Sequence, residues 1–365
     1  MMLSDMELSG KESTIFIEPL AQEWAKKYLQ NLVVNTETQE NDHGLALSEI
    51  LSVPGRKKTA DQVLTSLRSI SVKAWNKTED LLAIPIVQHH IDFNLINPWE
   101  ISHDCFNIYK KALYFYTQSG HNRPLSFVTK FTKPNYHLSE EDLQLETELI
   151  APHELVRVIS ADIGAVRKKY TEIDPRAIGF VSMQFHYTGQ MLLEPLNIVE
   201  RSLVGSYFKV IDDHLYMPLQ RAYLAAAQYD YDSPIISVLQ NLLPASTNIA
   251  NNIAKKIIEL FPNHETMSGK LTDQVVRISS IRDVEMFQVY LWVCVLEGNV
   301  NIIKEELFPL CVMLYPTLKV KWDMIRQMLY LLRFEIQDRL VYEHFQMLMP
   351  YFQILSSMFS ADILD

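Results

Sequence analysis

Apolar residues recur at spacings of three and four along most of the chain, the spacing of one buried face on an α-helix. Residues 19–33 carry Leu20, Trp24, Ala25, Tyr28, Leu29 and Leu32 on this period, and residues 60–77 carry Val63, Leu67 and Ile70. The same reading predicts helices over 45–53, 104–118, 138–150 and 153–170, the third of these opened by Ser139 with Asp142 three positions on. From Asp174 the pattern is helix after helix. Asp174 caps a segment with Pro175 in the favoured first position and Pro195 closes it. Residues 198–228 form the next, with a kink expected at Pro218. Further helices are predicted over 234–243, 246–261, 271–296 (ended by Gly298), 300–315, 317–341 and 342–359.

Two stretches break the helical period. Residues 84–98, β-branched and bounded by prolines, read as a strand, and residues 125–131 alternate as a strand does. Residues 35–44 are polar and acidic without periodicity and read as a linker. Pro54 and Gly55 read as the stop of helix 45–53, so that Arg56, Lys57 and Lys58 form a basic turn before the next helix.

Composition agrees with helices. Ten glycines in 365 residues are few for a glycine-rich α/β cofactor fold, and fourteen methionines favour helix. Three scattered cysteines with no C-x-x-C pair argue against a disulfide framework or a structural zinc site. No apolar run reaches the length of a membrane span, and residues 1–13 lack the apolar stretch of a secretory leader, so a cytoplasmic protein without a membrane partner is expected.

The net charge of −11 is unevenly spread. Residues 1–52 hold 3 basic and 9 acidic groups, residues 53–139 hold 11 and 6, and residues 140–365 hold 19 and 29. A basic segment on an acidic body points to an anionic partner for that segment alone. Arg56, Lys57, Lys58, Arg68, Lys73 and Lys77 lie on a helix–turn–helix; Lys110, Lys111, Arg123, Lys130 and Lys133 fall in a stretch with no acidic residue. Cations on a helix pair and a neighbouring β-ribbon suit phosphate contacts with DNA. A solvated helical hairpin and an edge ribbon kept soluble by lysines are the alternative.

The helical body carries a second group of polar residues. Ser182, His186, Gln190 and Glu194 follow at spacings of four, and Asp212, Asp213, His214, Arg221, Arg282 and Glu285 come after them. Groups of this kind in helices this apolar must be paired, with Arg221 or Arg282 against Asp212, Asp213 or Glu285 as the natural forks. Such a set forms either a structural network fixing helix packing or a ligand site. The ligand readings are an acid–base site on His186 or His214 with Asp213, and a heme or tetrapyrrole pocket walled by Tyr187, Phe208 and Trp292. The network reading requires no cofactor. The single E-x-x-H at Glu100–His103 lacks the second copy that a di-metal site needs.

The segments SMQFHYTGQMLLE (182–194) and YFKVIDDHLYMPLQRAY (207–223) resemble helical cyanobacterial regulatory proteins of the heterocyst-differentiation HetZ type. The resemblance covers roughly 150–360 and implies a DNA-binding transcription regulator that acts with partner proteins. It transfers no individual site residue.

The expected architecture is mainly α: an N-terminal helix and acidic linker (1–44), a smaller basic helix–turn–helix region with a short β-ribbon (45–139), and a multi-helix body (140–365). The expected function is non-enzymatic regulation, with DNA on the basic region and a protein partner on the body. The competing function is a helical enzyme or cofactor protein around His186 and Asp213.

Overall fold

The computed structural model describes residues 18–28, 32–35, 43–132 and 138–364, and they form a mainly α protein. Two short helices, α1 (Glu18–Ala25) and α2 (His43–Leu51), precede α3 (Val53–Gln88) and α4 (Pro98–Thr117). Strands β2 (Ser119–Thr132) and β3 (Leu138–Leu149) pair antiparallel, and β1 (Leu32–Asn35) adds to β2 in parallel. Next come α5 (Pro152–Thr171), α6 (Ile178–Leu193), α7 (Ile198–Tyr216), α8 (Leu219–Ala226), α9 (Pro234–Leu242) and α10 (Ser246–Leu260). A two-residue ribbon, β4 (Glu265–Thr266) and β5 (Gly269–Lys270), leads to α11 (Gln274–Glu297). The chain ends with α12 (Phe308–Thr317), α13 (Trp322–Gln337), α14 (Tyr342–Met358) and α15 (Ala361–Leu364).

One continuous core holds these elements. It runs from Leu20 and Trp24 through Leu67, Tyr109, Ile159, Phe185 and Ile211 to Phe287, Leu332 and Phe359, so all three segments drawn from the sequence contribute to it. The central helix α11 is buried all round from Val284 to Leu296, as expected of a helix hidden inside a larger bundle.

Local signals explain most helix ends. Gly298 closes α11 in the left-handed conformation, φ 68°, which a residue without Cβ adopts at little cost. Asp174 caps a 3-10 turn by accepting from the Arg176 amide, and the predicted kink at Pro218 is the break between α7 and α8.

Several expectations are corrected. Pro54 begins a helix instead of ending one: it sits in the first turn of α3, where its missing N–H is not needed, and the Ser52 hydroxyl caps that turn at the Gly55 amide. Arg56, Lys57 and Lys58 are therefore helical, and α2 meets α3 through Ser52 without a basic turn. The strand expected over 84–98 is the end of α3, which tolerates Pro85 in its last turn, followed by a 3-10 turn at Phe93–Leu95. The helix expected over 138–150 is β3; Leu145, Thr147 and Leu149 turn inward while Glu146 and Glu148 face solvent, a period of two that outweighs the capping residues at its start. The first helix stops at Ala25 and a 3-10 turn carries it to Tyr28, and α13 starts at Trp322, five residues after the predicted position. The strand expected over 125–131 lies inside β2.

Candidate functional site

The basic region divides once its side chains are placed. Arg56 is fully buried and donates to the backbone carbonyls of Leu51, Tyr116 and Gln118, the orphan acceptors at the ends of α2 and α4. It is a structural clamp, which corrects its assignment as a DNA contact. Lys57, Lys58, Arg68, Lys73 and Lys77 are exposed along one side of α3, whose other side packs on α4 and α6. Arg68 lies over the Phe106 ring at 5.4 Å and Lys77 over the Tyr187 ring at 4.1 Å, contacts that orient the stems and leave the charges intact. From 57 to 77 this face carries five cations against Asp61 alone among its carboxylates.

The ribbon is less basic than its first strand implies. Backbone register sets Lys130 opposite Glu140 and Arg123 opposite Thr147, and β3 contributes five carboxylates against the two cations of β2. Lys133 lies outside the described residues, and Lys111 is paired with Asp162 at 2.5 Å. Lys110 is half-buried on α4.

The polar residues of the body are brought together in separate clusters. In the first, the Arg282 guanidinium donates to the Asp212 carboxylate and stacks on the Tyr216 ring at 4.2 Å. His186 Nδ1 lies 3.3 Å from Asp212 Oδ1 and 3.1 Å from Arg282 Nη1; it can donate to the first or accept from the second, not both. Burial alone would raise the Asp212 carboxyl, but Arg282 and then His186 outweigh it and hold the group far below the usual carboxylate range. His186 keeps part of its ring at the surface, whereas Gln190 and Glu194 face solvent and Ser182 is buried. The line of four thus runs from core to surface and joins the cluster only at His186.

In the second cluster two buried carboxylates meet. Lys27 reaches Glu285 at 2.9 Å and Asp213 at 3.2 Å, Lys209 reaches Asp213 at 2.6 Å, Tyr28 donates to Asp213, and Thr247 donates to Glu285. His214 is adjacent but used differently. The Val210 carbonyl can only accept, so His214 Nδ1 carries the proton and Nε2 receives the Tyr223 hydroxyl at 3.1 Å. Burial pushes the His214 imidazole down to about 4, and with both nitrogens engaged it has no lone pair left for a metal or a heme iron. Arg221 instead forms a two-bond fork with Glu297 at 2.6 and 2.7 Å. A third pair, Arg167 with Glu306 and Tyr290, is wholly buried.

The residues proposed as walls of a cofactor pocket are dispersed. Phe208 packs edge-on against Tyr109 at 4.6 Å, Trp292 edge-on against Trp24 at 5.7 Å, and Tyr187 lies beneath Lys77. A cavity of about 410 Å³ lies elsewhere, between the end of α4, the base of the ribbon and the start of α5, with Phe115, Leu149, Ile150 and Val158 as its apolar lining. Glu100 is bonded to Lys169 and His103 to Asn107, and among the described residues no group of three or more His, Cys, Asp or Glu is arranged to hold a metal. Nor is any helix among them long and apolar enough to cross a membrane.

Lys27, Arg167 and Glu306 were not among the candidates from sequence. Their partners lie 258 and 139 positions away, and no local pattern marks such pairs.

Residues 219–358, from the first residue of α8 to the last of α14, match the family described as Phycobilisome protein. This segment is less than half of the chain, and it contains Tyr223, Arg282, Glu285 and Glu306 but neither His186 nor the Asp212–Asp213 pair. No curated protein and no solved structure matches the chain significantly.

Proposed function

We propose that the protein is a non-enzymatic regulator that contacts DNA through the solvent face of α3 and binds a protein partner through its helical body. The observation that carries this reading is the run of Lys57, Lys58, Arg68, Lys73 and Lys77 on the exposed side of one helix. Over 57–77 that face extends for about 30 Å at the α-helical rise, enough to follow a phosphate backbone across a groove. The acidic remainder of the chain confines binding to this face. The reading agrees with the regulatory resemblance of the 182–194 and 207–223 segments. It also places the protein in the cytoplasm, where three unpaired cysteines are ordinary.

The test is anisotropy with a labelled mixed-sequence duplex. Binding at low salt that weakens by roughly 100-fold between 50 and 200 mM salt is expected of about four phosphate contacts. Replacing Lys57 and Lys58 together by Ala should reduce the salt slope by about two without lowering the melting temperature. Absence of duplex binding by the wild-type chain at low salt overturns the proposal.

A second reading, an acid–base or cofactor site, draws on the partly exposed His186 ring beside Asp212. A rise in melting temperature with hemin or a bilin that His186→Ala abolishes would establish it, and no rise would remove it.

A further inference from the structure

We propose that the cavity between the end of α4, the base of the ribbon and the start of α5 binds a small amphipathic carboxylate, an apolar chain of about ten carbons with an anionic head. The site goes beyond the α3 reading and does not depend on it. Its volume, about 410 Å³, falls in the range of small-molecule sites. At roughly 30 Å³ per heavy atom, the share one water takes in the liquid, it holds on the order of 13 such atoms. Leu149 is buried at its floor, Phe115, Ile150 and Val158 are half-buried along its walls, and His121 and Arg157 are exposed at its mouth. The mouth is shaped by backbone. Ser119 pairs with Leu149 and Arg123 with Thr147, so three residues of β2 (120–122) stand against one of β3 (Glu148). A bulge of this kind re-aims side chains, and it carries His121 to the cavity. A Cβ on Gly120 would stand 3.1 Å from the Ile150 side chain and press on that wall.

Charge selects the head group, because the two helix ends at the cavity differ in what they offer. At the end of α4 the carbonyls of Tyr114, Phe115, Tyr116 and Gln118 already accept hydrogen bonds, two of them from Arg56. All the bonds of Arg56 go to carbonyls, and Glu148, which acts on its charge, faces solvent. A buried cation thus stands behind the Phe115 wall. The start of α5 presents the positive end of a 20-residue helix, where the N-cap Ala151 supplies no side-chain acceptor. Glu154 is the carboxylate on the lining. His153 Nε2 holds it at 3.1 Å, whereas Arg157 Nη1 is 3.9 Å from it, too far for a hydrogen bond. A guanidinium carries five donors, so Arg157 with the His121 imidazole can take a carboxylate at the mouth while the chain lies on Leu149. An ammonium head in the same place would meet Arg157 and the α5 dipole with like sign.

The experiment titrates the full chain with decanoate, decanol and decylamine, all below micelle formation, and reads binding by calorimetry. Decanoate should bind at one site per chain, at least about tenfold more tightly than the other two. Arg157→Gln, at an exposed position, should weaken decanoate by about tenfold and leave decanol unchanged. Val158→Trp fills the cavity and should abolish binding of decanoate at an unaltered melting temperature; where that variant melts early, Arg157→Gln decides alone. Absence of decanoate binding by the wild-type chain overturns the proposal. So does equal or tighter binding of decanol or decylamine, and so does decanoate binding indifferent to Arg157→Gln. Binding of duplex DNA, measured on the same protein, bears on the α3 reading alone.

Discussion

Lys27 Nζ stands 2.9 Å from Glu285, across 258 positions of sequence, and joins the N-terminal segment to the fully buried stretch of α11. The same ammonium lies 3.2 Å from Asp213 and 3.7 Å above the centre of the Trp24 ring. Two carboxylates almost without solvent contact are tolerable there because Lys27 and Lys209 offset them.

Removing that ammonium should therefore cost more than a surface ion pair does. Lys27→Met leaves Glu285 with Thr247 alone and Asp213 with Lys209 and Tyr28. A loss of about 3 kcal/mol in urea unfolding is expected, against under about 1 kcal/mol for Lys26→Met, whose partner Glu23 is partly exposed. Equal effects of the two substitutions would mean that the buried carboxylates do not depend on Lys27.

His214 gives the fold a defined acid sensitivity. Its folded value of about 4 lies below the ordinary 6.5, so the unfolded chain takes up the proton first. The stabilisation is fully present above pH 6.5 and is lost as pH falls toward 4, a change of roughly 3 kcal/mol. In His214→Gln the melting temperature should fall less steeply between those pH values than in the wild-type chain.

Arg56 and its two neighbours should separate cleanly. Arg56→Ala strips partners from the Leu51, Tyr116 and Gln118 carbonyls and should destabilise the fold by about 3 kcal/mol. Lys57→Ala and Lys58→Ala should each change stability by less than about 0.5 kcal/mol, because both side chains are exposed. Thermal melts of the three variants check this.

Gly189 is required by a close approach. A Cβ at this position would stand 2.6 Å from the Tyr109 hydroxyl, which is held by its bond to the Phe185 carbonyl. Gly189→Ala should cost about 1–3 kcal/mol, and Tyr109→Phe in the same chain should recover part of the loss in denaturant titrations.

Cys105, Cys294 and Cys311 are buried, and burial pushes the first two thiols up to about 12. Native protein should react with a thiol-specific disulfide reagent far more slowly than protein in denaturant, where all three become titratable.

How legible each feature was depends on the range of the interaction behind it. The period of the buried face, the Asp174–Pro175 start, the break at Pro218 and the Gly298 stop act within a few residues, and they fix the mainly helical body from sequence alone. Pro54 and Ser139 show where local signals are two-sided. Proline opens a helix as readily as it closes one, and a capping pair can head a strand when Leu145, Thr147 and Leu149 alternate behind it. The polar residues were recognisable as groups needing partners, and the Arg282–Asp212 fork was among those expected. Which carboxylate each cation takes was not, because it depends on which helix faces meet. Tertiary structure alone brought Lys27 to Glu285, turned Arg56 inward while Lys57 stayed in solvent, and set the acidic β3 beside the basic β2. Periodicity reports which face of an element is buried; only packing reports what that face is buried against.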